Sequence, residues 1–335
     1  MCRLYCVFFT LFVLIWCWYP LSGQTLFDEE SPLILTLETD IEALQADRLG
    51  SPKYHSATLR YMHGEHKVIQ EINIRARGRF RRDPYVCEFP PLHYKFPKDE
   101  ALPAPFQKQK KLKVVTHCRE DEFIYREYYL YKIYNLLTEK SFRVRLAEIT
   151  YVDSKGKVPN ETHPGFFIES EKAMAKRNKA KPVDEDIQLK SEEVDREMLT
   201  LMHIFNYMIA NRDFGVEVRQ NLKIITNGDG RPVTVPYDFD WAGIVDASYT
   251  QTPGTKKSMY YERRRFKPLC RTREEFDSSF DKFRATKSEV INMYKQSPYL
   301  SKEKIKETLK YLKNFYKNIE KEKVIQKVFV DSCNS

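Results

Sequence analysis

The chain has 335 residues, 42% hydrophobic and 31% charged, with 21 Tyr, 21 Phe and 3 Trp. That length and aromatic content exclude an intrinsically disordered chain and fit one large domain or two lobes sharing a cleft. The formal net charge of +9 suits phosphorylated ligands, headgroups or nucleic acid, but Lys and Arg alternate with Asp and Glu along the C-terminal region. That pattern reads as a solvated surface with one local basic patch, and nucleic acid is not an expected partner.

In chain order, Arg3 precedes an uncharged run from Leu4 to Leu21, and Ser22-Gly23 offers a small-residue cleavage point. Residues 1–23 therefore read as a secretory signal peptide. The run is also long enough for an uncleaved anchor helix, although Pro20 and the lack of basic residues beyond it favour cleavage. The expected mature protein is secreted or periplasmic, with no membrane span. It keeps Cys87, Cys118, Cys270 and Cys333, none at metal-ligand spacing, which argues against zinc. An oxidising compartment permits a bridge between Cys87 and Cys118, which flank expected neighbouring strands; two buried free thiols are the other reading.

Pro32 to Thr39 reads as a strand. From Ile69 to Gly78 the pattern alternates, with Ile72, Ile74 and Ala76 on one face and Asn73, Arg75 and Arg77 on the other. A short strand is expected around Leu92 to Phe96, and another in "KKLKVVTH", which carries Lys113. The apolar stripe Phe123, Leu130, Ile133, Tyr134 and Leu137 predicts a helix from about Phe123 to Leu137. Glu127 falls inside that stripe, and an unpaired buried carboxylate is costly, so it needs a partner. "FRVRLAEITYVD" and "PGFFIES" read as a hairpin with a long loop, which holds an Asn160-Glu161-Thr162 sequon. Glu171 to Lys190 reads as a linker or exposed helix. Val194, Met198, Leu201, Phe205 and Met208 mark a core helix ending at "ANRDFG". A hairpin of "NLKIIT", "NGDG" and "RPVTVPYDFD" follows. Ile305, Leu309, Leu312, Tyr316 and Ile319 mark a long amphipathic helix.

The order of these parts carries the chemistry. A basic strand and turn come first, then Lys113 on a strand, Glu127 on a helix, Asp213 and Asn221 after a core helix, and Asp238 and Asp240 at a strand end. Phosphoryl transfer needs those types: a lysine on the phosphates, an acid to hold it, a carboxylate to orient the attacking hydroxyl, and Asn and Asp for magnesium. Each residue also has a plainer reading. Lys113 suits an exposed strand, Glu127 could pair with Arg143, Asp213 and Asn221 suit turns, and the arginines a solvated face.

With "IRARGRFRR", "KLKVVTHCREDEFIYREYYLYKIYNLLTEKSFRVR", "GFFIE", "NRDFGVEVRQN" and "VPYDFDW", the chain from roughly Ile69 to Gly243 resembles the CotH-like atypical protein kinases. The resemblance implies an α+β, two-lobed protein-kinase-like fold, with a strand-rich N-lobe over residues 24–170 and a mostly helical C-lobe over 171–335. It implies transfer of phosphate from ATP to a hydroxyl of a protein substrate, with Mg2+ or Mn2+. Lys113 would contact the phosphates and pair with Glu127, and Asp213 would be the catalytic carboxylate. Asn221 and Asp238 would hold the metal, with Asp240 a second ligand, while Arg75 and Arg77 beside Gly78 would cover the phosphates. Three features depart from the kinase pattern. Asp213 and Asn221 are eight residues apart, where the usual loop has about five. No G-x-G-x-x-G loop is present, so arginines must replace backbone amides, and Asp240 stands where "DFG" ends in Gly. Two other functions stay open: a glycosyltransferase whose D-x-D holds manganese and a nucleotide sugar, and a non-catalytic pseudokinase scaffold.

Overall fold

The computed structural model describes residues 26–98, 101–251 and 264–334. The signal-peptide reading of residues 1–23 lies outside them. Alternation of apolar and polar residues builds the first half. β1 (Leu33–Thr39), β2 (His55–His63) and β3 (His66–Ala76) bury Leu35 and Leu37, Leu59 and Tyr61, and Ile72 and Ile74 on one face. Between β1 and β2 lies α1 (Ile41–Ala46), whose first turn is capped by Asp40 accepting the Ala43 N–H at 2.9 Å. Then follow β4 (Leu92–Lys95), β5 (Lys111–Val115), α2 (Glu122–Leu137), β6 (Val144–Asp153) and β7 (Glu161–Ile168).

The seven strands close into a barrel in the order β1-β2-β3-β4-β5-β7-β6. Neighbours run antiparallel except at the seam, where β1 lies parallel to β6 with Leu35 opposite Ile149. The interior is one apolar core that includes Leu37, Leu59, Ile74, Tyr94, Val114 and Phe167.

This closed mixed barrel overturns the expected two-lobed protein-kinase-like fold, whose strand-rich lobe would be an open sheet. Two physical reasons account for the difference. β2 carries its buried Ala57, Leu59 and Tyr61 among His, Ser, Thr and Arg, so its alternation passes for loop. The parallel seam joins segments with no local turn between them, and no periodicity reports such a pairing.

The second half holds α3 (Glu171–Arg177), β8 (Lys181–Pro182), α4 (Arg196–Met208), β9 (Leu222–Thr226), β10 (Val233–Pro236), α5 (Arg273–Lys295), α6 (Lys302–Asn318) and α7 (Glu322–Val328). Strands β10, β9 and β8 form a small antiparallel sheet. α2 is mostly buried and rich in aromatic residues because it packs against both the barrel and α5. Tyr131 reaches Phe166 of the barrel at 5.6 Å, and Tyr129 reaches Tyr294 of α5 at 5.1 Å. α5 begins with a capping box between Thr272 and Glu275. Cys87 is bridged to Cys118, and Cys270 to Cys333. Among the described residues no helix is long and apolar enough to cross a membrane.

Candidate functional site

Where the barrel meets the helices, a cavity of about 730 Å3 is lined by Arg77, Gly78, Asp213, Asn221, Asp238 and Asp240, with Arg79, Arg81 and Trp241 on its walls. Six of the residues named from sequence thus share one cleft. Gly78 has a φ of +81°, which permits the turn out of β3 where a side chain would be strained.

β10 emerges fully buried and delivers "YDFD" to the cleft. Phe239 is anchored between Tyr131, at 4.8 Å, and Phe205, at 5.4 Å. Asp238 takes a φ of +64°, and its N–H donates to Tyr131 Oη at 2.8 Å. Asn221 has a φ of +51°. Between residues 210 and 246, Ala210, Arg219 and Asp246 are also left-handed. Left-handed backbone at non-glycine residues costs energy and concentrates at sites that need exact placement.

Asp213 is held by its neighbours. Asn221 Nδ2 donates to Asp213 Oδ2 and to its carbonyl, both at 2.7 Å, and Gln220 Nε2 donates to Oδ1. A polar chain runs back into the core: the Asp213 N–H donates to Asn211 Oδ1, Asn211 Nδ2 to Asn206 Oδ1, and Asn206 Nδ2 to the Met202 carbonyl. Burial raises the Asp213 carboxyl above its ordinary value, Asn221 lowers it in part, and Asp238 adds to the rise.

The opposite wall is different. Glu127 is fully buried, and neither carboxylate oxygen has a hydrogen-bond partner among the described residues. Burial raises its pKa well above normal, and Asp240 and Asp238 raise it further, against Arg81 and Arg77. Asp240 is buried, accepts from Tyr249 Oη at 3.0 Å, and is pushed up to about 7 by burial and then by Asp238. Arg81 lies over the Phe123 ring at 5.0 Å and donates to the Thr116 carbonyl at 2.5 Å.

The expected Lys113–Glu127 ion pair is not formed. The Lys113 ammonium sits over the Tyr237 ring at 4.7 Å, and burial and then Arg77 lower its pKa to about 8, with Asp238 opposing. Arg143 does not serve Glu127 either, because it pairs with Asp28 and Glu139. Arg75 leaves the cleft altogether and lies over Tyr54 at 4.9 Å on the outer barrel face. Sequence reasoning assigned no role to Arg81, Gln220, Asn206, Asn211 or Tyr249; Arg81 carried a signal in the "RFRR" run, and Asn211 and Gln220 in "NRDFGVEVRQN", while Asn206 and Tyr249 carried none.

Among the described residues no three His, Cys, Asp or Glu side chains form a metal-holding group. The donor set nevertheless fits a divalent cation of the magnesium type. Such an ion is typically held by one or two carboxylates together with substrate phosphates and water, without a full protein cage. Asp238, Asp240 and the orphaned Glu127 crowd like charges where a cation would relieve them. No protein-family model matches the chain, and no curated protein matches it.

Proposed function

We propose that the protein is a phosphotransferase that moves a phosphoryl group from ATP to a hydroxyl of a protein, with Mg2+ or Mn2+. The observation that carries this reading is Glu127: a buried carboxylate with both oxygens unpaired among the described residues, beside Asp240 and Asp238, which line a cleft that also carries Arg77, Arg79 and Arg81. A buried acid in that state calls for a cation, and the arginines call for an anion; a metal nucleotide supplies both.

The residues divide the work as follows. Arg77 and Lys113 bind and orient the phosphates in place of a glycine-rich loop. Asp213 accepts the proton of the attacking hydroxyl, and its raised pKa makes it a stronger base than a free carboxylate. Asn221 holds Asp213 through its amide nitrogen, and its amide oxygen would serve as a ligand to the metal. Asp238 and Asp240 are the carboxylate ligands. Glu127 adds a third acid beside them and offsets Arg81. The bound metal supplies charge neutralisation on the phosphates. Two disulfides accord with an oxidising compartment, so the protein acts after export in this reading. The ordered resemblance to the CotH-like kinases supports the same chemistry on a different barrel.

Thermal unfolding with Mg2+ or Mn2+ tests the reading, with ATP in one series and a uridine-diphosphate sugar in another. Ligand at about 100 times its dissociation constant adds roughly 2.7 kcal/mol to the stability. A metal-dependent ATP shift that Asp238→Asn abolishes is the expected result. A shift with the sugar nucleotide alone moves the protein to glycosyl transfer. No shift with either leaves a binding scaffold.

A further inference from the structure

The outer face of β3, β4 and β5 carries a charge pattern that the barrel itself does not explain. Arg75, His93 and Lys113 stand directly opposite one another across the three strands, and Asn73, Lys95 and Lys111 form the adjacent row. Like charges directly opposite in a sheet are destabilising, and strands normally match them with acids. Within these two rows no acid does so; Asp238 and Glu171 offset Lys113 from outside the sheet. Arg75, Lys95, Lys111 and Lys113 make no ion pair among the described residues; Arg75 and Lys95 instead share the Tyr54 ring, at 4.9 and 5.1 Å. The field is positive enough that burial, then Arg75, Arg77, Lys111 and Lys113, lower His93 to about 4. Exposed Lys98, Lys108 and Lys110 extend the charge into the loop between β4 and β5. The face reaches the cleft at Arg77, with Lys113 beside the cleft residue Tyr237.

The spacing indicates the shape of the missing partner. The two rows are two residues apart along the strands, which is about 6.8 Å, and neighbouring strands are about 4.8 Å apart. An extended peptide with an acid at every second position repeats its carboxylates at the same interval. The nucleotide phosphates already have Arg77 and Lys113, so the outer row of Lys95 and Lys111 is left for a second anion.

We propose that this face seats an acidic, extended segment of the acceptor protein and holds the acceptor hydroxyl beside the cleft. This rests on the phosphotransferase reading and names its substrate class.

The test uses the mature chain, a labelled peptide alternating Glu and Ser, and fluorescence anisotropy at several salt concentrations. Lys95→Glu/Lys111→Glu should weaken peptide binding by about ten-fold or more, since like-charge contact costs more than one decade of affinity. The same reversal at Lys306 and Lys310, exposed on α6, should leave binding unchanged. The ATP-dependent thermal shift should survive both pairs of changes. Equal binding of an uncharged Gln/Ser peptide overturns the proposal. So does loss of the ATP shift with peptide binding intact, which gives the face to the nucleotide. Tighter binding of a single-stranded oligonucleotide of equal charge also overturns it. Peptide binding at this face without phosphate transfer to its serines supports the docking surface and overturns the transfer chemistry.

Discussion

Asp213 lines the cleft and Glu127 lies buried beside the cleft acids Asp240 and Asp238, in opposite surroundings. Asp213 receives hydrogen bonds from Gln220 and Asn221 and hangs from a chain of Asn side chains rooted in α4. Glu127 receives none and faces two more acids. One wall is complete within the protein; the other is complete only with something added. In the proposed function, that asymmetry separates the group that would move a proton from the groups that would hold the ligand.

The largest expected effect breaks the finished wall. Asp213→Asn keeps the size and the fold but should slow transfer to a serine peptide by roughly 10²–10⁴-fold, the usual worth of a positioned base. A wild-type rate in single turnover would remove Asp213 from the chemistry.

The unfinished wall is braced by the bridge between Cys87 and Cys118, close to where Arg81 meets Thr116. Replacing both cysteines by serine should cost about 3–4 kcal/mol in urea unfolding, from the closed loop of that length. An unchanged urea midpoint would show that the barrel alone holds this wall.

A third change sharpens the contrast by pH. Asp240 has a folded pKa raised from 3.8 to about 7. Its favourable contribution is therefore complete below its unfolded value and is lost as pH rises through about 7. Without metal, Asp240→Asn should gain about 4 kcal/mol at about pH 8 and lose that gain near its unfolded pKa. Glu127→Gln should behave alike, and both should weaken the metal-dependent ATP shift. Equal stability of variant and parent at the alkaline end would mean the acids are not crowded.

Asn211→Ala, by contrast, should cost about 1–2 kcal/mol at every pH, because it cuts a neutral hydrogen-bond chain. The smallest effect is on nucleotide affinity. It should fall a few-fold as pH passes about 8, where Lys113 loses its charge, and Lys113→Met should flatten that profile. A profile unchanged in Lys113→Met would remove the lysine from the phosphates.

Much of the cleft was legible because its residues are rare in type and fixed in order. "NRDFG" follows an unmistakable core helix, and "DFD" ends an apolar strand, so Asp213, Asn221, Asp238 and Asp240 could be named from sequence, and the structure brings them together. Partners across the fold were not legible. Nothing near Glu127 says that Lys113 will turn to Tyr237, or that Arg81 will lie over Phe123. Arg75 and Arg77 share a strand face, yet one enters the cleft and the other stays on the barrel wall, because the chain turns at Gly78. In the second half, α5 escaped notice although Thr272 and Glu275 spell its start and Phe276, Phe280 and Phe283 keep helical spacing; the largely polar gap over 284–289 breaks its apolar stripe in two. The Cys270–Cys333 bridge joins segments with no readable strand between them. Barrel closure was lost for the same reason as β2: long-range pairing leaves no local period.

The seam between β1 and β6 also sets a timetable. Leu35 is made early and its partner Ile149 late, with β2 to β5 and α2 emerging between them. Until β6 arrives, β1 has one edge paired to β2 and the other open, an edge that invites a neighbouring chain. Closure must also wait for a long loop to be drawn in, which slows folding. A chain of this design is safest when held by a chaperone until β6 and β7 are complete, and refolding yield should fall with protein concentration more steeply than final stability suggests.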